Sequence, residues 1–276
     1  MKNGHPTLNK HSDNSISALL TLLQDEDDKV ASLAMEQFLN SGLAEETVAQ
    51  FQEASEPQLR QRIHQLSGIL ARRRARREFL DAVAANRLSG WEGLIQINVI
   101  YDPQTDRGWI ADAMREIVNA AGRGATAARV AAVMRDKEFM VPDEDTLDVD
   151  LYLLDAVLDC KDGSAAVLCA IAQQIGRETG WDSTISLFEG RFVLIDAHGM
   201  LVDPTEGWHV SRLQDKSKIH PCSSRDLWLN VLTQLFLASL VDGNLRDLHL
   251  FSEILAALNG TPLDDALPYP LGRAQA

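Results

Sequence analysis

The stretch "DGSAAVLCAIAQQIGRETG", residues 162–180, decides the fold. It runs between two glycines, Gly163 and Gly180, and every residue from Ala165 to Ala172 is apolar or nearly so. A helix that is apolar on every face has no side to offer water, so it is enclosed rather than laid on a surface. The spacing therefore predicts a buried helix over 164–179. Immediately afterwards the period drops to two. "STISLF" (183–188) alternates Ile185 and Leu187 against Thr184, Ser186 and Phe188. "RFVLI" (191–195) reads as a second strand, "DAHG" (196–199) as the hairpin turn, and "MLVDP" as a returning third strand. One enclosed helix feeding antiparallel strands is the nucleus from which the rest is read.

Upstream the chain reads as helices. Residues 1–15 are polar and are expected to form a loose tail. From Ile16, Leu19, Leu20, Leu22 and Leu23 form one apolar stripe, and Val30, Leu33, Ala34 and Phe38 form the next. Asn40-Ser-Gly closes that helical hairpin. Helical pattern continues over 44–86, and "EGLIQINVIYDP" gives a helix ending in a turn, followed by another amphipathic helix and an Ala-rich one at 121–137. An acidic segment around Pro142 marks a change of character. Downstream, "SSRDLWLNVLTQLFLASLVDGNLRDLHLFSEILAAL" reads as a second helical hairpin with Asp242-Gly243-Asn244 as its corner. The expected organisation is a tail at 1–15, a helical region at 16–141, a core at 142–221, a helical hairpin at 222–260 and an irregular end at 261–276. Strands are segregated from most helices, which predicts an α+β fold rather than a wound parallel sheet.

Bulk properties narrow the function. The 276 residues carry a net charge of −14. Such a surface repels the polyanions nucleic acid and anionic membrane, and is complementary to a basic segment of a peptide or protein. Three cysteines, with no CxxC pair, suggest a reducing, cytoplasmic setting rather than a disulfide framework. The polar N-terminus has no apolar signal core. Five arginines, Arg72, Arg73, Arg74, Arg76 and Arg77, lack interleaved aromatics and read as a solvated helix face pairing with surplus acids. No cofactor motif stands out. "AGRGATAA" has glycines but lacks the lysine and Ser/Thr of a phosphate loop, and reads as a helix-to-helix turn. His198, His209 and His220 lie eleven apart without a carboxylate pattern, so no metal site is expected.

The pieces "VLDCKDG", "AIAQQIGRETG", "GRFVLI" and "VDP", with the upstream "EGLIQINVIYDP", resemble the SirB family of transglutaminase-like proteins. The C-terminal hairpin is similar to that family's tetratricopeptide-like unit. The resemblance spans roughly residues 16–258. It implies a papain-like transglutaminase core, whose active members place a cysteine at the N-terminus of the central helix and a histidine and an aspartate on adjacent strands. That layout lowers the thiol pKa, accepts its proton and orients the imidazole. Carried over by position, the cysteine seat is Ala165, the histidine seat is Arg191 and the aspartate seat is Asp203. A methyl group cannot form an acyl-enzyme, and a guanidinium cannot serve as a general base.

The resemblance thus implies a non-catalytic binding or regulatory scaffold. Across the hairpin Arg191 is expected roughly opposite Asp203, as an ion pair. The alternative is that its fork receives a carboxylate or phosphate. Arg191, Asp203 and Trp208 are the candidates for a binding cleft, with core burial the other reading of Trp208. The competing class is a cysteine hydrolase or acyltransferase with a rearranged thiol at Cys160 or Cys222, Cys169 being a buried core residue.

Overall fold

The computed structural model describes residues 10–41, 48, 50–51, 55–143 and 147–267. Contacts divide the chain into two units, residues 1–74 and 75–276.

In the first unit, α1 (Lys10–Leu22) and α2 (Asp28–Asn40) form the expected hairpin. Asp27 caps α2, its side chain accepting from the Lys29 N–H. The apolar stripe differs from the periodic reading. Ala31, Ala34 and Phe38 are buried, while Leu22 and Leu33 face solvent. Helix α1 begins at Lys10 instead of Ile16, and the rest of the expected tail, residues 1–9, lies outside the described residues. Parts of the helical reading at 44–54 also lie outside them. Helix α3 (Pro57–Ala84) contributes residues to both units.

The second unit is α+β. Helices α4 (Gly90–Tyr101), α5 (Arg107–Ala121), α6 (Ala127–Asp136) and α7 (Leu154–Cys160) precede the central helix α8 (Ala165–Thr179). Five antiparallel strands follow: β1 (Ser183–Phe188), β2 (Arg191–Asp196), β3 (Met200–Asp203), β4 (His209–Arg212) and β5 (Ile219–Pro221), in the order β4-β3-β2-β1-β5. Helices α9 (Ser224–Val241) and α10 (Leu245–Asn259) form the hairpin read at the C-terminus. One turn of helix, α11 (Leu263–Ala266), interrupts the end expected to be irregular, whose last residues, 268–276, lie outside the described set.

Helix α8 is enclosed as its composition demands. Residues 166–172 are buried without a break. It packs on β1 and β2 and is flanked by α4, α5, α6, α7 and α9. Ser164 caps its start and Gly180 ends it in the left-handed conformation. The Ala-rich helix starts later than read, at Ala127, because Gly122 and Gly124 adopt positive φ in the preceding turn.

Close backbone approach explains Gly93. A Cβ there would stand 2.0 Å from the Trp228 indole nitrogen. With no side chain at Gly93, Trp228 of α9 sits against α4 and donates Nε1–H to the Gly90 carbonyl at 3.0 Å. Helix α4 itself starts with a reciprocal cap between Ser89 and Glu92, which holds the Glu92 carboxyl below its usual range. No helix among the described residues is long and apolar enough to cross a membrane.

Candidate functional site

The start of α8 is held by the backbone. Met140 N–H donates to the Lys161 carbonyl and Gly163 N–H to the Met140 carbonyl, both at 3.1 Å. Ser164 N–H donates to the Leu151 carbonyl at 2.8 Å. Gly163 allows α7 and α8 to close on each other, since a Cβ there would lie 2.6 Å from Val157 Cγ1. Ala165 follows as the first helical residue and is half-buried.

Arg191 opens β2. Its Nη1 lies 3.3 Å from Asp203 Oδ2 and 2.6 Å from Glu206 Oε1. Asp203 is 3 % exposed, and its Oδ1 also accepts from the Thr205 N–H at 2.9 Å and hydroxyl at 2.6 Å. The ion pair is present, but the register differs from a direct pairing. Strand β2 pairs Leu194 with Val202 and Ile195 with Leu201. Continued, this places Val193 opposite Asp203 and Arg191 two residues further on. Arg191 and Val193 share a face of the sheet, so the guanidinium reaches Asp203 diagonally. The Glu206 hydrogen bond holds Arg191 charged, and in return Arg191 keeps the Glu206 carboxyl below its usual range.

Helix α8 also leads towards this aspartate. Burial pushes the Cys169 thiol well up, with Asp203 and then Cys222 adding to the effect. Cys169 therefore lies in the field of Asp203. Residues four apart on a helix share a face, so Ala165 occupies the face of Cys169 one turn nearer the N-terminus.

Burial works against thiolate formation at Cys169 and Cys222. Cys169 is fully buried. Cys222 is half-buried, its thiol raised by burial and by Asp226, and its Sγ sits 3.8 Å from the His220 backbone oxygen. Cys160 is exposed and donates to the Asp162 carbonyl at 3.4 Å. Among the described residues no thiol is hydrogen-bonded to an imidazole, and no cluster of His, Cys, Asp and Glu is spaced for a metal.

Trp208 is core. It is 1 % exposed and donates Nε1–H to the Phe139 carbonyl at 2.6 Å. It is among the residues lining a cavity of about 530 Å³, with Met140, Cys160 and Lys161. Lys161 Nζ stands 5.0 Å above the Phe139 ring. Glu138, Lys161 and Trp208 line this cavity and all have positive φ, an uncommon concentration of non-glycine residues in that region.

Two participants were invisible in the sequence. Asp196 organises the β2–β3 turn, its Oδ1 accepting from the His198 and Met200 N–H groups and its Oδ2 from Trp181 Nε1–H. His209, on a strand the alternation did not reveal, is the β4 register partner of Asp203 and contributes to the field at Glu206. His198 is exposed in the turn and His220 is exposed on β5. In the arginine row, Arg76 pairs with Glu253, Arg73 Nη1 reaches the Leu39 carbonyl, and Arg72 and Arg74 have partners as well.

Residues 109–229 match the transglutaminase-like superfamily. The match takes in α5 to α8, the whole sheet and the first turn of α9. No curated protein and no solved structure matches the chain.

Proposed function

We propose that this chain is a SirB-type member of its superfamily that has given up catalysis and works as a binding or regulatory scaffold. The observation that carries the reading is Arg191, salt-bridged to Asp203 and Glu206, at the position where the resemblance expects the imidazole base. A guanidinium stays protonated at physiological pH and takes no proton from a thiol. The Ala165 side chain offers no nucleophile on the α8 face that leads to Asp203. A net charge of −14 favours a basic peptide or protein segment as partner.

Alkylation by iodoacetamide with mass-spectrometric site assignment tests the reading. The expected order is Cys160, then Cys222, with Cys169 protected until the chain unfolds, and no site faster than a free thiol. A single hyper-reactive thiol at neutral pH would overturn the scaffold. If that thiol were Cys160, it would favour the second reading, a rearranged cysteine hydrolase or acyltransferase. The exposure of Cys160 beside the 530 Å³ cavity is what keeps that reading open.

A further inference from the structure

Away from the Arg191 cluster, α4, α5, the 3-10 turn at Val149–Leu151 and α7 flank an open surface cavity of about 370 Å³. Tyr101 and Trp109 supply aromatic wall, and Trp109 is 40 % exposed, unusual for so large an apolar ring. Four carboxylates, Asp102, Asp150, Asp155 and Asp159, line it together with Leu153 and Ala156. None of the four is ion-paired among the described residues. The C-terminal end of α4 adds partial negative charge at Tyr101. The carboxylates are too dispersed to chelate, since no metal-holding group exists among the described residues. An aromatic cavity with unneutralised negative charge, too open for a metal ion, suits an organic cation.

We infer that this cavity receives a lysine or arginine side chain of a basic peptide segment, with the Trp109 and Tyr101 rings against its stem and the aspartates around its charged head. The inference rests on the scaffold reading only for the kind of partner, because the cavity contains none of Ala165, Arg191 or Asp203. Crowding supports it. Burial and the neighbouring Asp148 and Asp155 push the Asp150 carboxyl up, as expected of charges that lack a counterion.

The test uses the full chain and a fluorescein-labelled peptide, acetyl-Gly-Lys-Gly-Arg-Gly-amide, followed by anisotropy at low ionic strength. A norleucine and citrulline version of the peptide serves as control. Binding should weaken about tenfold in Asp155→Asn/Asp159→Asn and about threefold in Trp109→Ala. It should be nearly unchanged in Asp264→Asn/Asp265→Asn, which removes the same charge from exposed positions on α11. The neutral control peptide should not bind. Circular dichroism of each variant confirms folding. Trp109→Phe, which keeps an aromatic wall, should restore most of the affinity lost in Trp109→Ala. Equal losses in both double variants, or binding indifferent to Asp155, Asp159 and Trp109, would overturn the pocket and leave only diffuse attraction to an acidic protein. That result would leave the thiol profile, and with it the scaffold reading, untouched.

Discussion

Replacing Arg191 by methionine keeps the aliphatic stem and removes the fork that holds Asp203. At 3.3 Å and an effective dielectric near 20, the gross attraction between the two charges is about 5 kcal/mol. Most of it is offset by dehydration of Asp203, which is nearly inaccessible, and by the open position of Arg191, whose side chain is 37 % exposed. Exposed pairs contribute about 0–1 kcal/mol, whereas removing one partner of a fully buried pair costs about 3–5 kcal/mol. With one partner in each regime, and with Thr205 still donating twice to Asp203, the single change should cost about 1–2 kcal/mol. Arg191→Met and Asp203→Asn, alone and combined, form a double-mutant cycle. Urea unfolding followed by circular dichroism should give a coupling of about 1 kcal/mol that persists in high salt. A coupling below about 0.3 kcal/mol would refute the structural pairing and free the guanidinium for a ligand.

Gly93→Ala should lower stability by about 2–4 kcal/mol, because the new methyl evicts Trp228 from the Gly90 carbonyl. A neutral or stabilising result in a thermal melt, as expected of an open helix position, would contradict that packing. Trp208→Phe keeps an aromatic ring but leaves a small buried void and orphans the Phe139 carbonyl, and should cost about 2–4 kcal/mol by urea titration. Glu206 has a depressed folded-state pKa, so its contribution is present above its unfolded value and fades as pH falls through the folded one. Melting temperatures recorded through the acid range should therefore fall less steeply for Glu206→Gln than for the parent chain. Parallel acid limbs would show that the bond to Arg191 does not persist in solution.

The central helix and the first three strands were legible because enclosure leaves a direct mark on composition. Eight successive residues that are apolar on every face of a helix mark a buried element, while Ile185 and Leu187 alternate in β1 and the apolar run from Phe192 to Ile195 marks β2. Strands β4 and β5 left no such mark. "HVSR" and "IHP" are short, largely exposed edge strands, where burial imposes no pattern. His209 was consequently read as one of three evenly spaced histidines and not as the cross-strand neighbour of Asp203. Leu33 shows the opposite failure. Periodicity placed it inward with Ala34 and Phe38, yet α2 turns Ala31 to the core beside those two and leaves Leu33 in solvent. The approach of Arg191 to Asp203 was legible from hairpin length alone, but its diagonal geometry required the register. The Trp109 cavity had no sequence signal, since its four aspartates come from three separate segments.

The enclosure of α8 has an evolutionary consequence. From Ala166 to Ala172 a mutation meets neighbours on all sides, and a leucine-to-alanine change at Leu168 would cost about 2–5 kcal/mol. Within the stretch 165–172 Ala165 is the residue left at the rim, partly in water, where one small side chain can replace another with little repacking. On the reading proposed above, this is the seat of the superfamily's nucleophile. A scaffold arranged this way can lose its chemistry in a single codon while its architecture is passed on unchanged, whereas regaining it needs both Ala165 and Arg191 to change.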